Sequence, residues 1–248
     1  MKKPAFLFVA LFSGIAASQL TWAGPADYVY TTNVDYGERE LDIKLGAATP
    51  AGGTRAQAIT IGLGYGMKEY WFTEAYLKQE RIGGKNFTLV EWENKFKFTE
   101  TGKYPVDVGL ITELAAPLAG NGPWELRVGP LLQTEFGKLQ LNSNLLFERA
   151  FGKADESGVP FTTNIGYQLQ AKYRLQRTFE FGVQALGEMG TWNHWSKQVD
   201  QNHRIGPAIF GKFALGNQQA IKYNAAWLIG TTRAAPKHTL RVQIEHEF

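Results

Sequence analysis

Cysteine is absent from this 248-residue chain. This excludes a disulfide framework and suits a protein that crosses an oxidising compartment without mispairing. Beyond residue 23 the sequence lacks any apolar run near the roughly 20 residues that a spanning helix needs, and no segment repeats its apolar residues with a helical period. An excess of one charge is missing too. Without Lys2 and Lys3, the 26 basic residues fall to 24 against 23 acidic ones, a net charge of about +1, which gives no support to a nucleic-acid partner. Nucleotide loops, zinc-protease motifs and nucleophile elbows are absent, and Gly62-Leu63-Gly64-Tyr65-Gly66 has the wrong spacing for a dinucleotide turn. No catalytic residue, metal ligand or cofactor is therefore assigned.

At the N-terminus, Lys2 and Lys3 precede an apolar stretch from Ala5 to Ala17, then Thr21-Trp22-Ala23 and Gly24. This is the pattern of a secretory signal, with cleavage expected after Ala23. Residues 1–23 are read as a signal peptide and 24–248 as one β-barrel domain. Aromatic residues are plentiful at 13%, as a protein with interfacial girdles requires.

The chain ends on an unbroken alternation from Thr239 to Phe248: Leu240, Val242, Ile244 and Phe248 on one face, Arg241, Gln243, Glu245 and Glu247 on the other. An apolar-out, charged-in strand closing on an aromatic resembles the C-terminal strand of Gram-negative outer-membrane β-barrels. The resemblance implies that Phe248 is an assembly signal read by the barrel-assembly machinery. It also implies an outer-membrane location among lipid and lipopolysaccharide.

Alternating runs recur near 38–48, 56–66, 70–80, 88–99, 104–114, 124–136, 139–150, 162–175, 178–189, 203–215, 220–230 and 239–248. A membrane-crossing strand needs about 9 to 11 residues, which these runs supply. Tight links at 66–70, 99–104, 136–139, 175–178 and 215–220 alternate with longer ones at 47–55, 81–87, 115–123, 151–161, 190–203 and 231–238, as expected of short periplasmic turns and long external loops. The reading is an all-β, transmembrane, antiparallel up-and-down barrel of about twelve strands. Periodicity does not say which face points inward, so a soluble sandwich or lipocalin-like barrel with its apolar face inside stands as the rival.

For function, the polar face supplies the candidates. Glu91, Glu93, Glu113, Glu125, Arg127, Lys172, Arg174, Glu188 and Arg204 are read as pore-lining, with the acidic residues gathered toward the external end. Arg127-Val128-Gly129-Pro130 echoes Arg204-Ile205-Gly206-Pro207. Proline removes a ladder donor, so each copy is expected at a rim bulge, with Arg127 and Arg204 as a guanidinium pair for carboxylate or phosphate solutes as the functional alternative. The 190–203 loop carries Trp192, His194, Trp195, Ser196, Asp200 and His203, which invites a hydrolase reading, though a loop supplies poor fixed geometry. A narrow diffusion channel for small charged or polar solutes is the first expectation. A closed structural barrel is the second and an outer-membrane hydrolase the third.

Overall fold

A computed structural model describes residues 24–49, 55–119, 122–152, 161–217 and 219–248. The expected signal peptide lies outside the described residues. The strands are β1 (Arg39–Thr49), β2 (Ala56–Lys68), β3 (Trp71–Ile82), β4 (Lys85–Lys97), β5 (Asp107–Pro117), β6 (Trp124–Phe136), β7 (Leu139–Phe151), β8 (Thr163–Gln176), β9 (Phe179–Thr191), β10 (His194–Trp195), β11 (Asn202–Gly216), β12 (Gln219–Gly230) and β13 (His238–Glu247). The two-residue β10 pairs only with the end of β9. The other twelve run as successive antiparallel hairpins, and β13 pairs back onto β1, with Ile244 opposite Ile43. The sheet is a closed barrel without edges. We call the end where β1 starts and β13 finishes proximal, and the other end distal.

Closure settles which face is inside. Asp42 is 1% exposed and Gln184 is 0%, whereas the outward Ile61 and Leu63 are 47% and 63% exposed. An apolar belt of this extent is incompatible with a water-soluble monomer and is what a hydrocarbon environment requires. The soluble rival, which needs its apolar face inside, is overturned.

The interior is not a water-filled tube. Residues 24–38 enter the lumen and line it, with turns at 25–26 and 36–37 and an extended run between them, and Val29, Tyr30, Thr32 and Val34 are buried. At the proximal rim the Gly37 N–H donates to the Gly66 carbonyl and the Gly66 N–H to that of Glu38, both at 2.8 Å. From there the segment climbs to Gly24, beside Lys78 and Glu80 of β3 in the distal half. Two wall glycines make the room. A Cβ on Gly46 would sit 2.1 Å from the Pro25 carbonyl oxygen, and one on Gly66 would sit 1.9 Å from that of Asp35. On the same strand the rings of Tyr76 and Phe72 cover Gly62 and Gly64, so this glycine run is a packing device.

Several expectations need correction. The 81–87 link is a tight turn at Gly83-Gly84, both at positive φ (60° and 83°), as a two-residue primed hairpin requires. The predicted tight link at 99–104 is the longer segment 98–106, so β4 ends earlier and β5 starts later than the alternation suggests. Neither Gly-Pro step makes a bulge or sits at a rim. The register is the same before and after each, with Val128 opposite Phe147 and Leu131 opposite Asn144, and with Ile205 opposite Ile229 and Ala208 opposite Ala226. The strand simply runs through a missing donor. The irregularities fall instead at Gly66/Lys68, Ile165/Gly166, Tyr173/Gln176 and Ala214/Gly216.

Candidate functional site

The lumen face is set by every second residue of the barrel strands, and its charges converge on the inserted segment. In the distal half Arg127 of β6 donates from Nε to Glu148 at 3.0 Å and from Nη1 to Glu113 at 3.1 Å, and Nη1 lies 3.2 Å from the Tyr30 hydroxyl. Lys78 of β3 lies 3.1 Å from Glu91 and 3.2 Å from Glu80. Asp27 stands between these two groups, 3.7 Å from Arg127 and 3.8 Å from Lys78. Removing these charges from water is costly, so they persist because each meets opposite charge.

Below them, Lys44 of β1 is 3.2 Å from Asp42 and sits between the rings of Tyr28 and Tyr76, at 3.9 and 3.7 Å from their centroids. The Tyr28 hydroxyl donates to Glu93 at 3.0 Å and the Tyr30 hydroxyl to Glu113 at 2.8 Å. A belt of side-chain amides continues around the wall. Asn142 donates to Gln133 at 2.8 Å, Gln170 to Asn142 at 3.1 Å and Gln184 to Gln170 at 2.6 Å. Arg241 closes it by donating to Gln184 and to the Asp27 carbonyl.

The proximal mouth holds the Lys172 and Arg174 pairs and a network in which Lys222 and Lys212 share Glu247. Lys172 meets Glu180 at 3.0 Å, Lys212 meets Glu247 at 2.6 Å, and Lys222 meets Glu38 at 3.2 Å and Glu245 at 3.4 Å. Arg174 pairs with Glu135. Glu38 lies just outside β1. Burial raises its carboxyl above the ordinary range, Lys222 pulls it back, and a hydrogen bond with Glu247 adds to the rise.

All nine predicted lumen residues lie on the inward face, but in different company. Glu91, Glu93, Glu113 and Arg127 surround residues 27–30 as described above. Glu125 is half-buried, two residues from Arg127 on the same face. Lys172 and Arg174 belong to the proximal pairs. Glu188 accepts from Asn202 at 3.0 Å and lies 3.8 Å from Arg204, which also reaches Thr239 at 3.5 Å. Arg127 thus meets Glu113 and Glu148, and Arg204 meets Glu188. In the 190–203 loop, His203 and Asp200 have separate partners. His203 has Tyr167 Oη 3.0 Å from Nδ1 and Gln201 Oε1 2.6 Å from Nε2, while Asp200 pairs with Arg233 at 3.0 Å. Among the described residues no group of acidic and histidine side chains is arranged to hold a metal ion.

Sequence reasoning missed the inserted segment. Its one signal was a stretch from Gly24 to Glu38, with Tyr28, Tyr30 and two valines, that belongs to no strand and no loop.

Two small spaces flank the Asp27–Arg127 contact. One is lined by Lys44, Lys78, Glu91, Glu93 and Glu113, the other by Tyr167, Gln168, Leu186 and Glu188. No protein-family model matches the sequence, and no curated protein matches it. Among solved structures the chain is similar to the NanC porin, at 13% identity over 84% of this chain and 98% of that one, with a TM-score of 0.55. It is also similar to an outer membrane channel from Pseudomonas putida F1, at 11% identity over 90% of this chain and 98% of that one, with a TM-score of 0.62. The fold of this chain is that of outer-membrane β-barrels.

Proposed function

We propose that this protein is a diffusion channel of the Gram-negative outer membrane for small charged or polar solutes, and that its own N-terminal segment fills the passage at rest. The observation that carries the reading is the lumen itself. A charged and amide-lined interior runs the length of a barrel whose outside suits lipid, and a single extended strand of chain occupies it. A wall built only for rigidity has no need of such a separable filler. In this reading the proximal end is periplasmic, residues 1–23 are removed on export, and Phe248 addresses the chain to the assembly machinery. The basic residues at the distal end, Arg55, Arg81, Lys197, Arg233 and Lys237, face lipopolysaccharide phosphates, an attraction of about 1 kcal/mol per charge near an anionic surface.

Planar-bilayer recording of the full chain against an Asp27→Ala/Tyr30→Ala variant tests this. The substitutions remove the two side chains that tie the segment to Arg127, Lys78 and Glu113, and leave the barrel wall intact. The expected result is rare, brief openings in the wild type and sustained conductance in the variant. A correctly folded variant as silent as the wild type would return the assignment to a closed structural barrel.

A further inference from the structure

The way the lumen holds residues 27–34 bears on what else it can hold. Gln168 of β8 uses both ends of its carboxamide on the main chain: its oxygen accepts from the Tyr30 N–H at 3.0 Å, and its nitrogen donates to the Tyr28 carbonyl at 2.8 Å. Those two groups flank Val29, and they are the pair that a neighbouring parallel strand would engage. Asn144 of β7 donates to the Tyr30 carbonyl at 3.0 Å and, at 2.9 Å, to the same Gln168 oxygen, which fixes the orientation of that amide. Lys97 donates to the Val34 carbonyl at 3.0 Å, and Arg241 to that of Asp27. Every one of these contacts is to a group that any non-proline residue carries.

Apolar side chains occur on the inward face where this segment sits. Val29 packs into Leu186, Ala208, Phe210, Ala226 and Leu228. Tyr30 packs against Ile111, Leu131 and Leu146. With the segment withdrawn, these pockets would be hydrated, at a cost of about 25 cal/mol per Å² of apolar surface. The site favours an occupant with peptide groups and apolar side chains on an extended backbone. The flanking spaces, lined by Lys44 and Lys78 together with Glu91, Glu93 and Glu113, suit an ammonium and a carboxylate equally.

We propose that the seat of residues 27–34 is a binding site for an extended peptide, and that a short peptide is the solute class it takes when the N-terminal segment leaves. A sugar offers no alternating apolar side chains to these pockets. A simple anion would find the distal cations, Arg127 and Lys78, already matched by carboxylates. The physiological use of the site rests on the channel reading, but the binding does not. The tethered segment competes at an effective concentration of order millimolar, so it masks the site in the resting chain.

The test is isothermal titration of the full-length Asp27→Ala/Tyr30→Ala variant in detergent with the capped peptide acetyl-Ala-Ala-Val-Ala-Ala-amide. Two comparators are sucrose and the same peptide N-methylated at the amide after valine, which removes the donor that Gln168 reads. Expected are saturable binding of the parent peptide, none of sucrose, and affinity about tenfold lower for the methylated peptide and for the parent on a Gln168→Leu background. If Gln168→Leu does not fold, the methylated peptide probes the same contact. If the loosened variant itself does not fold, the parent peptide at tens of millimolar should speed amide exchange of residues 26–34 in the wild type, and sucrose should not. Equal binding of both peptides, or no effect of either substitution or peptide, overturns the site. Absence of peptide binding in a variant that conducts overturns the site and leaves the channel standing. Peptide binding without conductance removes the channel reading and leaves the site.

Discussion

Truncating Tyr30 should release the inserted segment while leaving the barrel closed. The side chain is 3% exposed, its ring packs on Ile111, Leu131 and Leu146, and its hydroxyl donates to Glu113. Removing a buried aromatic to alanine costs about 3–5 kcal/mol. Because β1–β9 and β11–β13 pair without help from Tyr30, that cost falls on seating of the segment rather than on the sheet. At about 1.4 kcal/mol per tenfold, the unseated population should rise by roughly a hundred- to several-thousandfold. Tyr30→Phe keeps the ring and loses the hydroxyl's bond to Glu113 and the one it accepts from Arg127; the bond to the carboxylate alone is worth about 1.5–3 kcal/mol, so the rise should be at least roughly ten- to a hundredfold. Native-state hydrogen exchange reads this directly, because the segment opens as a local unit and the Tyr30 N–H is held only while Gln168 is engaged. Amides 26–34 should exchange faster in the order wild type, Tyr30→Phe, Tyr30→Ala, with strand amides unchanged. If the strands accelerate along with the segment, or if the segment does not accelerate in Tyr30→Ala, it is not a separable unit and the argument fails.

Gly46→Val should unseat the segment without touching it, since a Cβ there would meet the Pro25 carbonyl carbon and oxygen; exchange at 26–34 as slow as in the wild type would contradict the packing described. Val183→Arg, in the body of β9, should cost about 2–4 kcal/mol of unfolding free energy in lipid, against about 0–1 for Val108→Arg beside the proximal end of β5, because the penalty depends on depth; equal costs would argue against this placement in the bilayer. Arg127→Ala strands Glu113 and Glu148 and should lose about 3–5 kcal/mol, with partial recovery on adding Glu113→Gln and Glu148→Gln; a single-variant loss under about 1 kcal/mol would show that the cluster is solvated. Phe248→Asp should lower the amount of folded barrel in outer membranes while detergent refolding proceeds, and normal membrane levels would remove Phe248 as an assembly signal.

The alternation that reads as a strand is a local property, since successive side chains on extended backbone point to opposite faces. The terminal run from Leu240 to Glu247 is therefore visible in the sequence, and so is the period-2 face of Leu41, Ile43 and Leu45. Turn chemistry was equally local, although the Gly83-Gly84 hairpin sat inside a stretch read as a long loop. Which face points inward was not local, because a two-fold repeat is the same seen from either side. Only the pairing of β13 with β1 turns Asp42 into the lumen and Ile43 toward lipid. The inserted segment was less accessible still. Residues 24–38 have no periodicity, and their partners lie far along the chain: Glu93 is 65 residues from Tyr28, and Gln168 is 138 from Tyr30. Local pattern specifies strands, but an extended segment held by side chains from β1, β3, β4, β5, β6, β7, β8 and β13 acquires its place only when the closed barrel brings those strands around it.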